Sequence, residues 1–315
     1  MFRKSILPKK LAPALIAVLL CLGTTAKAQY FYDNDYYNNA LVFELGLSVG
    51  AMNCLTDIGG KKGIGSKYTK DLNLGSTELM GGLYFGAMFK DVLGLRLEGS
   101  LGKISSFDSV LNTVPKADIA RARYNRNLSF RSNITEIAVI LEFHPLYAFL
   151  DLDIEDYEPP RFSPYVLAGL SFFKFRPQAK LNGRWIDLQP LSTEGQGFAE
   201  YPERKPYSLK AMGFPLGGGV KYELSPITSM RLEFIYRPTT TDYMDDVSTR
   251  YIDKNLFSNY LTGAKLTNAL LLSDRNRGEY LPQTLPDKKR GNIKDKDNYF
   301  SINLKFGLVL GRDRR

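Results

Sequence analysis

Ten residues, Leu93–Gly102 (LGLRLEGSLG), pose the problem this chain must solve. Leu93, Leu95, Leu97 and Leu101 fall on one face of an extended chain, with Arg96, Glu98 and Ser100 on the other. The same two-residue beat recurs in Leu41–Gly50, Arg131–Phe143, Met230–Arg237 and Tyr299–Gly311, and more weakly in Leu79–Phe89, Tyr165–Phe175 and Phe214–Tyr222. Strict alternation over such windows predicts strands whose two faces meet different surroundings. There are about eight of them. Most are longer than the usual five or six residues, and their length suits a tilted strand crossing a bilayer.

The connections alternate as well. Asp91–Val92 and Leu224–Thr228 are tight turns, and His144–Arg161 is a longer one at the same end. At the other end lie Ala51–Gly75, Ser105–Phe130, Arg176–Ser208 and Pro238–Asn298, all long. Short turns at one end and long loops at the other are the pattern of outer-membrane barrels. The expected fold is therefore all-β: a closed antiparallel transmembrane β-barrel of about eight strands with long extracellular loops. An even strand count puts both chain ends at the short-turn, periplasmic side. A soluble β-sandwich, which expects shorter strands with a turn every 8–12 residues, fits less well.

In such a barrel the leucines face lipid and the charged partners face inward. The expected lumen charges are Glu44, Glu78, Arg96, Glu98, Glu136, Glu142, Lys221, Arg231, Glu233 and Lys305. Both signs are present, as buried charges require. Aromatics near strand ends (Tyr84, Phe85, Phe89, Phe172, Phe173, Phe175, Tyr222, Tyr236, Tyr299 and Phe300) are expected to form interfacial girdles.

The first residues carry Arg3, Lys4, Lys9 and Lys10, an apolar stretch from Leu11 to Leu22, and Ala26-Lys27-Ala28. This reads as a secretory signal peptide cut after Ala28, with residues 29–315 forming the barrel domain and 238–298 a long extracellular loop. The formal charge of +9 includes five of the 42 Lys and Arg from that segment, so 37 basic residues face 33 acidic ones afterwards, or +4. Nucleic-acid binding is not supported by this balance. Cys54 then stands alone, and one Cys with the single His144 cannot build a structural zinc site. No cofactor is expected.

Several motifs invite chemistry. In Gly59–Lys67 (GGKKGIGSK) the lysine does not directly follow the last glycine, so a solvated loop is favoured over a phosphate loop. His144 precedes Pro145 at a periplasmic turn, away from the outer rim where a hydrolase site would sit, so no enzyme is expected. Asp242, Asp245 and Asp246 lack EF-hand spacing and read as capping aspartates rather than a Ca²⁺ loop. The following stretch could carry a short helix capped by Asp246 or Ser248. Lys116, Arg121, Arg123, Arg126 and Arg131 could meet lipopolysaccharide phosphates or simply be solvated. On the periplasmic side, the arm with Tyr32 and Tyr36 and the acidic turn with Asp151, Asp153, Glu155 and Asp156 are candidate docking surfaces.

Together, FELGLSVGAMNCLTDIGG, RNLSFRSNITEIAVILEF, FSPYVLAGLSFFKFRPQA, LQPLSTEGQG, FPLGGGVKYELSP and TDYMDDVSTRY resemble the PorG-like outer-membrane β-barrel family, which includes a component of the type IX secretion system. The resemblance runs over most of the chain after the signal segment and is thinnest in Asp253–Asn298. It implies an eight-stranded, OmpA/OmpX-like barrel in the cell outer membrane. It also implies a role anchoring periplasmic secretion-system ring proteins, with outer-membrane lipid and lipopolysaccharide as surroundings. It implies no catalytic residues. A small pore or a surface-binding barrel is the alternative.

Overall fold

The computed structural model describes residues 39–60, 74–149, 160–276 and 284–312, all within the second of two compact units, Asn34–Arg315. The signal segment and Tyr32, Tyr36, Asp151, Asp153, Glu155 and Asp156 lie outside the described residues.

Eleven strands form in chain order: β1 Leu41–Leu55, β2 Glu78–Phe89, β3 Leu93–Phe107, β4 Ser129–Phe143, β5 Phe162–Lys174, β6 Pro177–Leu181, β7 Arg184–Asp187, β8 Lys210–Gly213, β9 Leu216–Ser225, β10 Thr228–Pro238 and β11 Asn298–Leu310. Eight of them close a ring, β1-β2-β3-β4-β5-β9-β10-β11, in which every neighbouring pair is antiparallel and β11 returns to β1. The register proves closure. Phe43 pairs with Ala87, then Leu95, Leu141, Ala168, Leu216, Tyr236 and Phe300, and Phe300 pairs with Asn53. The path re-enters β1 ten residues beyond its start. With a rise of about 3.3 Å per residue and about 4.8 Å between strands, that stagger tilts the strands about 40° from the barrel axis.

The outer wall explains the alternation. Each ring strand presents exposed apolar side chains, among them Leu47 (61%), Leu83 (60%), Leu101 (64%), Leu141 (63%) and Leu232 (58%). An apolar surface running round all eight strands far exceeds the few hundred Å² that a water-soluble monomer exposes. On β1 and β3 the band runs from Leu41 to Val49 and from Leu93 to Leu101. Stretches of this length match a tilted membrane-spanning strand.

Above that band the pattern inverts. Lys103 and Asn133 now point outward, while Met52, Cys54, Met80, Ile104, Ile134, Phe173, Phe175 and Tyr299 pack inside as one buried apolar layer. The strands therefore outrun the membrane and continue into a cap built from the long loops. This corrects the girdle expectation. Tyr84, Phe173, Phe175 and Tyr299 are interior residues, and Phe85, Phe89, Phe172 and Tyr222 remain on the outer wall. Tyr84 lies across two glycines. A Cβ on Gly46 would meet its ring at 2.4 Å, and one on Gly307 its hydroxyl at 2.6 Å.

The long loops are structured rather than open. Within the expected loop Arg176–Ser208, β6 and β7 form a hairpin over Asn182 (φ 47°) and Gly183 (φ 83°), and β6 extends the sheet from Arg131 and Ser132 of β4. Two consecutive left-handed residues make the two-residue turn that strand twist favours. The strand expected over Phe214–Tyr222 is interrupted at Pro215, which has no N–H for the ladder, so β8 and β9 pair separately with β5. Short helices at Ala120–Arg126, Phe257–Tyr260 and Gly263–Leu272 complete the cap. No helix starts at Asp246 or Ser248. Asp246 is left-handed (φ 66°), and Asp253 caps the first turn instead, accepting from Asn255 N at 2.9 Å.

At the opposite end lie the tight β2–β3 and β9–β10 turns, together with the start of β1 and the end of β11. Lys90 N donates to Ala40 O at 2.7 Å, and the Asn39 amide reaches Gly311 O.

Candidate functional site

Inward positions of six different strands converge in the barrel. Arg96 of β3 lies 3.2 Å from Glu98, 2.5 Å from Glu142 of β4 and 2.8 Å from Glu233 of β10. Lys305 of β11 completes that knot, 2.5 Å from Glu98 and 2.8 Å from Glu233. Arg231 of β10 bridges Glu142 and Glu44 of β1, each at 2.7 Å. Lys221 of β9 stands 3.6 Å from Glu44. Tyr84 and Tyr165 donate their hydroxyls to Glu44 (2.5 Å) and Glu233 (2.8 Å). All of these groups are buried.

Eight of the ten charges expected in the lumen thus form one continuous network. Glu136 is separate. It sits nearer the cap, 3.0 Å from Arg237 and bonded by Ser100, while Arg237 also donates to Ser301 at 2.8 Å. Glu78 is half-buried and accepts from Ser105 Oγ at 3.0 Å, outside the network. The expectation omitted Arg237, Glu223 and Arg312. Arg237 shares the inward parity of Arg231 and Glu233, a signal the sequence does carry. Arg312 lies beyond the last strand, where no alternation flags it, yet it reaches Glu223 at 2.9 Å and Asp91 at 3.0 Å.

His144 closes the turn end. Its Nδ1 is 2.8 Å from Ser163 Oγ, its Nε2 3.5 Å from Glu142, and its ring stacks on Tyr165 at 4.8 Å. Hydroxyl, imidazole and carboxylate in a row could suggest nucleophilic chemistry. Here Glu142 is already engaged by two arginines, and both Ser163 and His144 are 1% exposed. The cavity beside Glu142, Arg96 and Arg231 measures about 10 Å³, room for about one water. The arrangement braces a wall.

The cap has its own buried polar hub. Glu194 accepts from Ser248 N (3.0 Å), Thr249 N (2.9 Å), Thr249 Oγ1 (2.7 Å) and Arg290 (2.8 Å). Arg126 makes a two-pronged contact with Asp108, both bonds at 2.9 Å, and donates to the carbonyls of Arg290 and Asp57. Asp245 accepts from Ile58 N and Val247 N, Asp297 from Met244 N, and Asp57 from Asn292 N. These carboxylates fasten loops by capping backbone N–H groups. Asp242, by contrast, accepts from the Ser248 hydroxyl, and Asp246 from the hydroxyls of Thr193 and Tyr207. Burial pushes Asp242 up to about 8 and Asp57 and Asp246 up to about 6. Burial, then neighbouring aspartates, also drives Asp245 and Asp297 well above the usual carboxylate range. Among the described residues no group of three or more His, Cys, Asp or Glu is arranged to hold a metal ion.

The basic loop weighed for lipopolysaccharide is mostly committed elsewhere. Arg126 is buried on Asp108, Arg123 donates to Gly59 O at 2.9 Å, Arg121 packs on Tyr124 at 4.2 Å, and Arg131 lies 3.8 Å from the Trp185 ring. Only Lys116 of that set is fully exposed without a described contact.

In sequence, no curated protein matches the chain. Among solved structures, it is similar to Ail, the attachment invasion locus protein of Yersinia pestis, in complex with the heparin analogue sucrose octasulfate. That likeness has 10% identity, 85% of this chain and 99% of that one covered, and a TM-score of 0.34. It is also similar to Neisserial surface protein A (11% identity, 86% and 97% covered, TM-score 0.34) and to the outer membrane protein OprG of Pseudomonas aeruginosa (11%, 86% and 95%, TM-score 0.30). Residues 31–187, just under half of the chain, match the model of a family described as a domain of unknown function (DUF6089).

Proposed function

We propose that this chain is a non-enzymatic outer-membrane barrel that anchors or helps assemble a protein secretion machine of the type IX kind. The observation that carries the membrane part is the unbroken apolar wall on a closed ring whose strand backbones pair with one another all the way round, the condition for spanning lipid with strands. The anchoring part rests on the resemblance to PorG-like barrels and on a lumen filled by paired charges, which suits a rigid plug better than a conduit. In this reading the barrel contacts outer-membrane lipid and lipopolysaccharide along its wall. It docks periplasmic ring proteins through the turn end, using the Tyr32–Tyr36 arm and the Asp151–Asp156 turn.

Expression of the signal-bearing chain in a Gram-negative host tests the first part. The protein should fractionate with the outer membrane and change mobility on unboiled gels. A soluble periplasmic protein without a heat-dependent shift would end the reading. Affinity capture from the native cell envelope tests the second part. Ring proteins should co-purify, and deleting residues 151–158 should reduce them. Undiminished capture removes that turn from the proposal, and capture of no ring protein removes the secretion role. Ohmic steps in planar bilayers would favour the pore instead.

A further inference from the structure

A cavity of about 630 Å³ opens in the cap, walled by segments 203–205, 248–250 and 289–294. Its charged lining is Arg204, Lys205, Arg250, Lys289 and Lys294 against Glu203. Among the described residues none of the three lysines lies within ion-pair distance of a carboxylate. Two exposed cations elsewhere in the cap have partners, Arg176 with Asp187 at 2.5 Å and Lys254 with Asp274 at 3.0 Å.

The frame is braced rather than loose. Arg250 and Lys289 form a β-bridge, and the N–H groups of Arg290 and Gly291 both donate to Thr249 O at 3.0 Å. A Cβ on Gly291 would stand 2.6 Å from Ser248 N, so a side chain there would force these two walls apart. Arg204 ties in the third wall, donating to the carbonyls of Glu194 (2.9 Å) and Arg250 (3.2 Å). The backbone segments that carry the cations are thus fixed around one concavity. A cleft in which cations outnumber the one lining carboxylate, Glu203, focuses positive potential and concentrates counter-charge.

We propose that this cavity binds a phosphorylated saccharide. Its volume is that of a small-ligand site. Arg204 is engaged by Glu203 at 3.2 Å as well as by those carbonyls, and Arg250 donates to Asp287 O at 2.6 Å, so the lysine ammonium groups are the ones that suit phosphate oxygens here. Two sources share that chemistry, the sugar headgroup of a phosphorylated glycolipid in the surrounding leaflet and a free sugar phosphate. This site is independent of the turn-end docking reading and lies at the other end of the barrel.

The test uses the full-length protein purified from outer membranes into detergent, with glucose 1,6-bisphosphate as the soluble probe and vesicles with and without phosphorylated lipid A as the membrane probe. Calorimetry should show binding of at least one probe, weakened at least about tenfold in K205E/K289E and unchanged in K180E on the β6–β7 hairpin. Binding of the bisphosphate points to a free sugar phosphate, and binding restricted to lipid A vesicles points to the headgroup. The proposal is overturned if neither probe binds, if K205E/K289E binds as the parent does, or if K180E weakens binding equally. The heat-dependent gel shift verifies that each variant is folded. The milder K205Q/K289Q pair, expected to lose affinity in the same direction, decides the matter if the charge reversal fails to fold.

Discussion

The barrel interior and the cap bury similar amounts of charge under different rules. Among buried described residues, the interior sets six carboxylates (Glu44, Glu98, Glu136, Glu142, Glu223, Glu233) against six cations (Arg96, Lys221, Arg231, Arg237, Lys305, Arg312). The cap sets Asp108, Glu194, Asp242, Asp245, Asp246 and Asp297 against only Arg126, Arg204 and Arg290. Strands deliver inward side chains at fixed spacing from every direction, so opposite charges can meet across the lumen. Loops lack that periodicity. Their carboxylates turn instead to nearby donors, backbone N–H groups for Asp57, Asp245 and Asp297, hydroxyls for Asp242 and Asp246. The second arrangement depends on pH.

The comparison breaks most forcefully at Arg96. R96M leaves Glu98, Glu142 and Glu233 short of a partner and should cost about 3–5 kcal/mol. Urea unfolding in detergent should show it, together with loss of the unboiled fast-migrating form at lower temperature. If stability is unchanged, the lumen network is not what braces the barrel. R126M should cost a similar amount but locally, because Asp108 is stranded in the cap. Trypsin should then cut loop residues while the heat-shifted barrel band survives, and simultaneous loss of both would mean that cap and barrel unfold together. G46V should destabilise by about 1–3 kcal/mol through its clash with the Tyr84 ring, read from the same urea curve.

The pH prediction sharpens the contrast. Asp242, Asp57 and Asp246 have folded values raised above the unfolded value near 3.9. Groups raised in this way favour the folded cap most fully below the unfolded value, and that contribution is lost as pH rises through about 6 and then about 8. Hydrogen exchange of the cap should therefore slow between pH 8.5 and pH 5, once corrected for intrinsic rates. D242N should flatten the upper part of that dependence, and a cap equally protected at both values would contradict the acid-rich account. Smallest of all, R176A removes an exposed pair with Asp187 and should change stability by less than about 1 kcal/mol.

The sequence made the barrel readable because lipid enforces alternation. Every ring strand was visible, as was the split between short and long connections. Its ends were less visible. Alternation was followed from Leu93 only to Gly102, yet β3 runs to Phe107. Past Leu101 the outside turns polar and the inside apolar, so Lys103 and Ile104 continue the strand with the faces exchanged. The Asn182-Gly183 hairpin lies inside a long connection, between strands too short to show a clear alternation. The lumen charges followed from parity, except where Arg312 leaves the strand. The cap hub was not readable, since Glu194, Arg290 and Arg126 are far apart in sequence and no period relates them.

The stagger of ten residues has a consequence for how such a chain reaches its final form. β11 pairs with β1, the first strand of the ring, and that closure is what lets Lys305 reach Glu98 of β3, while Glu233 already stands on the neighbouring β10. A slip of one residue would turn Lys305 toward the hydrocarbon and leave two glutamates facing each other without it. An incorrectly registered barrel is penalised on both faces at once.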